Sequence, residues 1–189
     1  DKNIGVIADH LASIGIDLLF PEPDRHGSPD TTAEATTNDL LFAVALRDNR
    51  AVLAIAGTIA EGASGSGNFP PVRVEGSDPL LLMPLLPQFR SVIRSTPVLD
   101  RAAAGHGIIS ADAPDGITRN IPLAVAVQNA IAPTLALEMI RVAAGEPVIR
   151  LRANADGLLS VGTGDIAVPV DKEGRAWIRY GRHDPDRFV

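Results

Sequence analysis

Any chemistry in this chain has to start from its acids. Asp17, Glu22, Asp24 and Asp30 follow one another closely, the first in an apolar run and the others in a polar one. Carboxylates grouped in this way can exchange protons, meet a cation or form the acidic wall of a binding site. An unpaired charge inside a buried strand is costly, so Asp17 must find a partner or stand at the strand's open end. Glu22 and Asp24 come next, beyond the carboxyl end of that strand, which is where open α/β sheets bind ligands. The structural alternative is an Asp17 that accepts backbone N–H groups, followed by a solvated acidic loop; ion-pair and capping networks make this the commoner outcome. His26 stands in the same loop. Arg119 follows an Asp-Gly turn far downstream and suits either a cross-strand ion pair or an anionic group on a ligand. The candidate ligand-binding set is therefore Asp17, Glu22, Asp24, His26 and Arg119.

Other chemistries lack their parts. Cysteine is absent, which removes disulfide, thiolate and cysteine-zinc readings. His10, His26, His106 and His183 show no metal-ligand spacing, and His106, between two glycines, is expected to make a structural hydrogen bond. Residues 62–67, Gly-Ala-Ser-Gly-Ser-Gly, lack the Gly-Lys-Ser/Thr of a phosphate loop and read as a plain loop. No Gly-x-Ser-x-Gly elbow occurs. With no nucleophile, metal cluster or phosphate loop, the segment is expected to have no catalysis, no metal and no cofactor. The net charge of -6 argues against nucleic acid and anionic membrane surfaces as partners.

These residues need elements to hold them. Ile4, Ile7, Leu11 and Ile14 fall on one helical face, which predicts a helix over 3–13 ended by Gly15. A strand over 16–20 follows, stopped by Pro21 and Pro23. A loop leads to a second helix that starts near Thr36 or Thr37 and runs to about Arg47, with Leu40, Leu41, Val44 and Ala45 inward. Residues 51–59 form a second, fully apolar strand. Helix, strand, helix, strand is the repeat of a mainly parallel sheet covered on both faces. A loop over 61–71, a packed coil over 79–87 and short helical pieces over 89–104 come next. Strands over 107–111 and 117–127 flank Asp112 to Gly116, a hairpin signal. A helix over 133–144 and strands over 157–161, 166–170 and 176–180 give an antiparallel α+β end. The fold class is α/β, in a single domain spanning 1–189. Hydrophobic residues make up 46% of the chain and charged ones 21%, enough apolar material for one ordered core.

The ordered motifs resemble a known family. They are Gly15-Ile-Asp-Leu-Leu-Phe20 with Glu22-Pro-Asp24, then Gly105-His-Gly-Ile-Ile109. Asp115-Gly-Ile-Thr-Arg-Asn-Ile-Pro-Leu123, Pro133-Thr-Leu-Ala-Leu-Glu138, Ile166-Ala-Val-Pro-Val-Asp171 and Gly174-Arg-Ala-Trp-Ile-Arg-Tyr180 follow. Together they resemble the second type of CHASE domain, the extracytoplasmic sensor of bacterial transmembrane receptors, over nearly the whole chain. The resemblance implies a membrane-anchored parent chain, with a cytoplasmic adenylate or guanylate cyclase, or a histidine or serine/threonine kinase, as output. It implies a small-molecule or protein signal, and signalling by a homodimer is expected. It also implies one more strand before residue 1, since family members open with a strand. It assigns no binding residues. Two other classes remain open: a small α/β enzyme using the acids near Asp17–Asp24, and a periplasmic module that binds a protein.

Overall fold

The computed structural model describes residues 12–24, 37–60, 68–110 and 117–181. The expected helix over 3–13, apart from its last two residues, lies outside the described residues. So do His10, His26, Asp30, His183, the loop at 62–67 and the Asp-Gly turn at 112–116.

The first part of the chain runs β1 (Ile14–Ile16), α1 (Thr37–Asp48), β2 (Ala51–Thr58), β3 (Val72–Glu75), α2 (Pro79–Leu82), β4 (Gln88–Phe89), β5 (Ser91–Ile93), α3 (Pro97–Ala102) and β6 (Gly105–Ile108). The second part runs β7 (Asn120–Pro122), β8 (Ala124–Val127), β9 (Ala130–Pro133), α4 (Leu135–Ala144), β10 (Ile149–Asn154), β11 (Gly157–Thr163), β12 (Ile166–Pro169) and β13 (Arg175–Trp177). The class is mixed α/β, as the sequence predicts.

β2 is the centre of the parallel sheet. Its first five residues are buried, as an unbroken apolar run requires when helices cover both faces. β1 and β6 pair with it in parallel. Ala43 and Leu46 of α1 and Leu99 and Ala102 of α3 form one core cluster with Leu53 of β2. α4 covers the other face, and glycines let it come close. A Cβ on Gly15 would collide with Met139, one on Gly105 with Glu138, and one on Gly107 with the Leu135 backbone. The Gly-His-Gly motif thus lays bare backbone toward α4. Side chains alternate along a strand, so His106 points to the opposite face.

The second module is a four-stranded sheet, β12-β11-β10-β3, with β3 parallel to β10 and the other pairs antiparallel. Ile149, Leu151 and Ala153 alternate inward along β10 and build the largest core cluster with Leu82, Leu86 and Val161. The expected antiparallel end is present, but its strands β3 and β10 were not read from the sequence, because alternating Arg150 and Arg152 dilute the apolar signal of β10.

Several sequence expectations are corrected. The first strand covers 14–16 rather than 16–20, because past Leu53 the partner of β2 becomes β5, whose Ile93 faces Ala56. Phe20 then bonds through its carbonyl to the Thr96 N–H at 2.8 Å. The inward face of α1 is Asp39, Ala43 and Leu46, with Phe42 beside them, whereas Leu40, Leu41, Val44 and Ala45 are exposed. Both stripes keep helical spacing; small Ala43 permits close packing on α3, and Asp39 turns inward to accept the Asp24 N–H. The segments around residues 112–116 do not form a hairpin, since β6 pairs with β2 and β7 with β13. The helix expected over 133–144 begins at Leu135, because Pro133 ends β9, and stops where Gly145 takes a φ of +70°.

Candidate functional site

A cavity of about 520 Å³ opens beside the first residues of β6. One wall is α3 with Ala103 to His106, another is Glu138, Arg141 and Pro147, and the third is the segment from Asn68 to Pro71 that leads into β3. The cavity therefore lies where the parallel sheet, α4 and the second module meet.

Charged groups line it in two locked pairs. Arg94, just after β5, grips Asp100 of α3 with two bonds: Nε donates to Oδ1 at 3.0 Å and Nη2 to Oδ2 at 3.1 Å. His106 Nε2 also lies 3.0 Å from Asp100 Oδ1, but Nε2 has no well-aligned acceptor. The contact is short but not aligned as a directed hydrogen bond. Burial pushes the Asp100 carboxyl up, while His106 and Arg94 outweigh it and hold it below its ordinary value. On α4, Arg141 Nε and Nη2 each donate at 2.7 Å to Glu138, whose side chain is 1% exposed. The Glu138 bonds come first in raising the Arg141 guanidinium above its ordinary value, against its burial.

The acceptors of both carboxylates are engaged, and the unused groups are mostly donors. Among the described residues, Arg94 Nη1, Ser95 Oγ, Thr96 Oγ1 and His106 Nε2 are buried with no hydrogen-bond partner. Of these residues Arg94 and His106 line the cavity, and since buried polar atoms are normally satisfied, their unpaired nitrogens mark a place suited to water or a ligand. Arg101 also lines the cavity and is exposed. The arrangement suits holding a polar molecule. No group of three or more His, Cys, Asp or Glu that could hold a metal occurs among the described residues.

The sequence-derived candidates are arranged otherwise. Asp17 is exposed just past β1, so it stands at the open end of its strand rather than inside it. It lines a second, smaller cavity of about 260 Å³ with Ser110, Thr134, Leu135 and Met139. Glu22 is exposed and is not part of that lining. Asp24 ties the proline-locked segment to α1: Asn38 Nδ2 donates to its Oδ2 at 2.6 Å, and its N–H donates to Asp39 Oδ2 at 3.2 Å. His26 lies outside the described residues. Arg119 is exposed before β7, where its carbonyl accepts from the Ile178 N–H. Glu22, Asp24 and Arg119 are not among the residues that line this cavity with Asp17. The residues missed were Arg94, Asp100, Arg101, Glu138 and Arg141. One signal was available: Glu138 and Arg141 interrupt an otherwise apolar helix at i, i+3 spacing.

A family model described as CHASE2 domain matches residues 6–189, and the chain belongs to that family. No curated protein and no solved structure matches the chain. CHASE2 is an extracytoplasmic sensory domain family found in receptors, and it is not catalytic. No helix among the described residues is long and apolar enough to cross a membrane.

Proposed function

From that membership we propose that this chain is the signal-input domain of a bacterial transmembrane receptor, standing outside the cytoplasmic membrane and controlling a cytoplasmic cyclase or kinase. The observation that carries the reading is the family match over residues 6–189. The cavity beside β6 supports it, because a polar pocket at the meeting point of three packed elements is suited to shift a population between two arrangements of those elements. A homodimer would carry that shift through the membrane. Protease added to intact cells, with the outer layers opened and the cytoplasmic membrane sealed, tests the placement. Digestion of this domain with cytoplasmic markers spared is expected; a domain cut only after the inner membrane is breached contradicts the reading.

A second location for the signal is the carboxyl edge of the parallel sheet, where Asp17 lines a cavity and Glu22 and Asp24 follow in the adjoining segment. It is favoured by one observation, the cavity that Asp17 lines. An acidic wall there would select a cationic ligand. Alanine at Glu22 and Asp24 in the intact receptor tests it, since an unchanged dose response with normal expression removes that loop from sensing.

A further inference from the structure

We propose that the cavity beside β6 binds a compact oxyanion, a carboxylate or phosphate group, through Arg94, Arg101 and His106. This deepens the sensory reading and rests on it for its biological meaning, although the binding itself stands on local geometry alone.

The chain as a whole is acidic, which would seem to favour a cation, but screening limits the reach of distant charges to about 8 Å at physiological salt, so the local set decides. Locally, three arginines face two carboxylates. Asp100 and Glu138 are each held by two arginine bonds, so neither presents a bare acceptor to a cationic ligand. Arg94 uses one edge of its guanidinium on Asp100 and leaves Nη1 buried without a partner. A guanidinium with a spare N–H beside a second arginine matches the paired oxygens of a carboxylate or phosphate. His106 Nε2, 3.0 Å from Asp100 Oδ1 but without an aligned bond to it, adds a third nitrogen at the cavity wall. The volume of about 520 Å³ is in the range of small-ligand sites. The family match assigns no ligand, so the class of ligand is read from these donors.

The purified 189-residue chain is titrated separately with inorganic phosphate, succinate and neutral succinamide, following the heat of binding and the His106 ring resonances. Saturable binding of phosphate or succinate, with a shift of the His106 ring and none from succinamide, is expected. Saturation by one anion alone assigns that source; saturation by both supports the shared chemistry. Arg101→Glu, at an exposed site, and Arg94→Lys, which keeps the charge but loses the fork, are each expected to weaken binding about tenfold or more. If Arg94→Lys melts early, Arg101→Glu alone decides. The proposal is overturned if neither anion saturates by about 10 mM, if succinamide binds as well as succinate, or if Arg101→Glu stays within about twofold of wild type. Such a failure would leave the receptor reading intact, since membrane placement is measured independently.

Discussion

The two ends of the parallel sheet hold their charges in different ways. At the amino end of β6, Arg94, Asp100, His106, Glu138 and Arg141 come from separate parts of the chain and converge on one cavity. At the carboxyl end of β1, Asp17, Glu22 and Asp24 are close in sequence yet divide their tasks. One lines a small cavity, one is exposed and one fastens a loop to α1. Proximity along the chain is weak evidence of a shared site when prolines stretch the backbone between the residues. Convergence through packed elements makes a site, because each member is oriented by a partner. The amino-end charges are accordingly tied to stability, whereas among the carboxyl-end acids Asp24 has a structural part, fastening its segment to α1.

That contrast can be broken most sharply at Glu138. Glu138→Ala leaves the Arg141 guanidinium, 14% exposed, without its carboxylate. Removing one member of a buried pair costs about 3–5 kcal/mol, so urea unfolding should show a loss of that order. A loss below about 1 kcal/mol would mean that the pair is solvated in solution and the contrast false. Next comes Gly107→Ala, whose new Cβ would press on the Leu135 backbone. Overpacking of this kind costs about 1–3 kcal/mol, measured by the same unfolding. A neutral result would show that α4 can back away from β6.

Acid separates the two ends more finely. The folded Asp100 carboxyl has a lowered pKa. Its stabilisation is therefore fully present above the unfolded value, about 3.9, and is lost as pH falls through the folded value. The stability gap between wild type and Asp100→Asn should shrink on acidification below about pH 4. A gap that widens in acid would reverse the sign assigned here. The smallest effect is expected at Glu22→Ala, an exposed position, whose stability should stay within about 0.5 kcal/mol of wild type. A larger loss would give the carboxyl-end loop a structural part beyond Asp24.

The legibility of the fold follows the same division. β2 was plain in the sequence because a strand buried on both faces is apolar at every position, and α4 was plain because Gly145 closes it in a left-handed turn. The face of α1 was misread because Leu40, Leu41 and Val44 outweigh Ala43 in apolar bulk, while what selects the face is the fit against Leu99 and Ala102. β10 escaped because its outward arginines hide a period of two. For the cavity, Gly105-His106-Gly107 was visible as a motif, but its meaning depends on Glu138 and Asp100 arriving from opposite faces of β6. No spacing rule predicts that meeting, because it is created by the packing of α3 and α4.

The central claim, that the signal acts through the cavity beside β6, is tested most directly in the intact receptor. Signal-dependent output is compared in wild type, in Arg101→Glu and in the double variant Glu22→Ala with Asp24→Ala, all at matched expression in the membrane. The account predicts a dose response shifted by about tenfold or more, or lost, in Arg101→Glu, and a wild-type dose response in the double variant. A wild-type response in Arg101→Glu together with a lost response in the double variant would contradict it, and would move the signal to the carboxyl edge of the sheet.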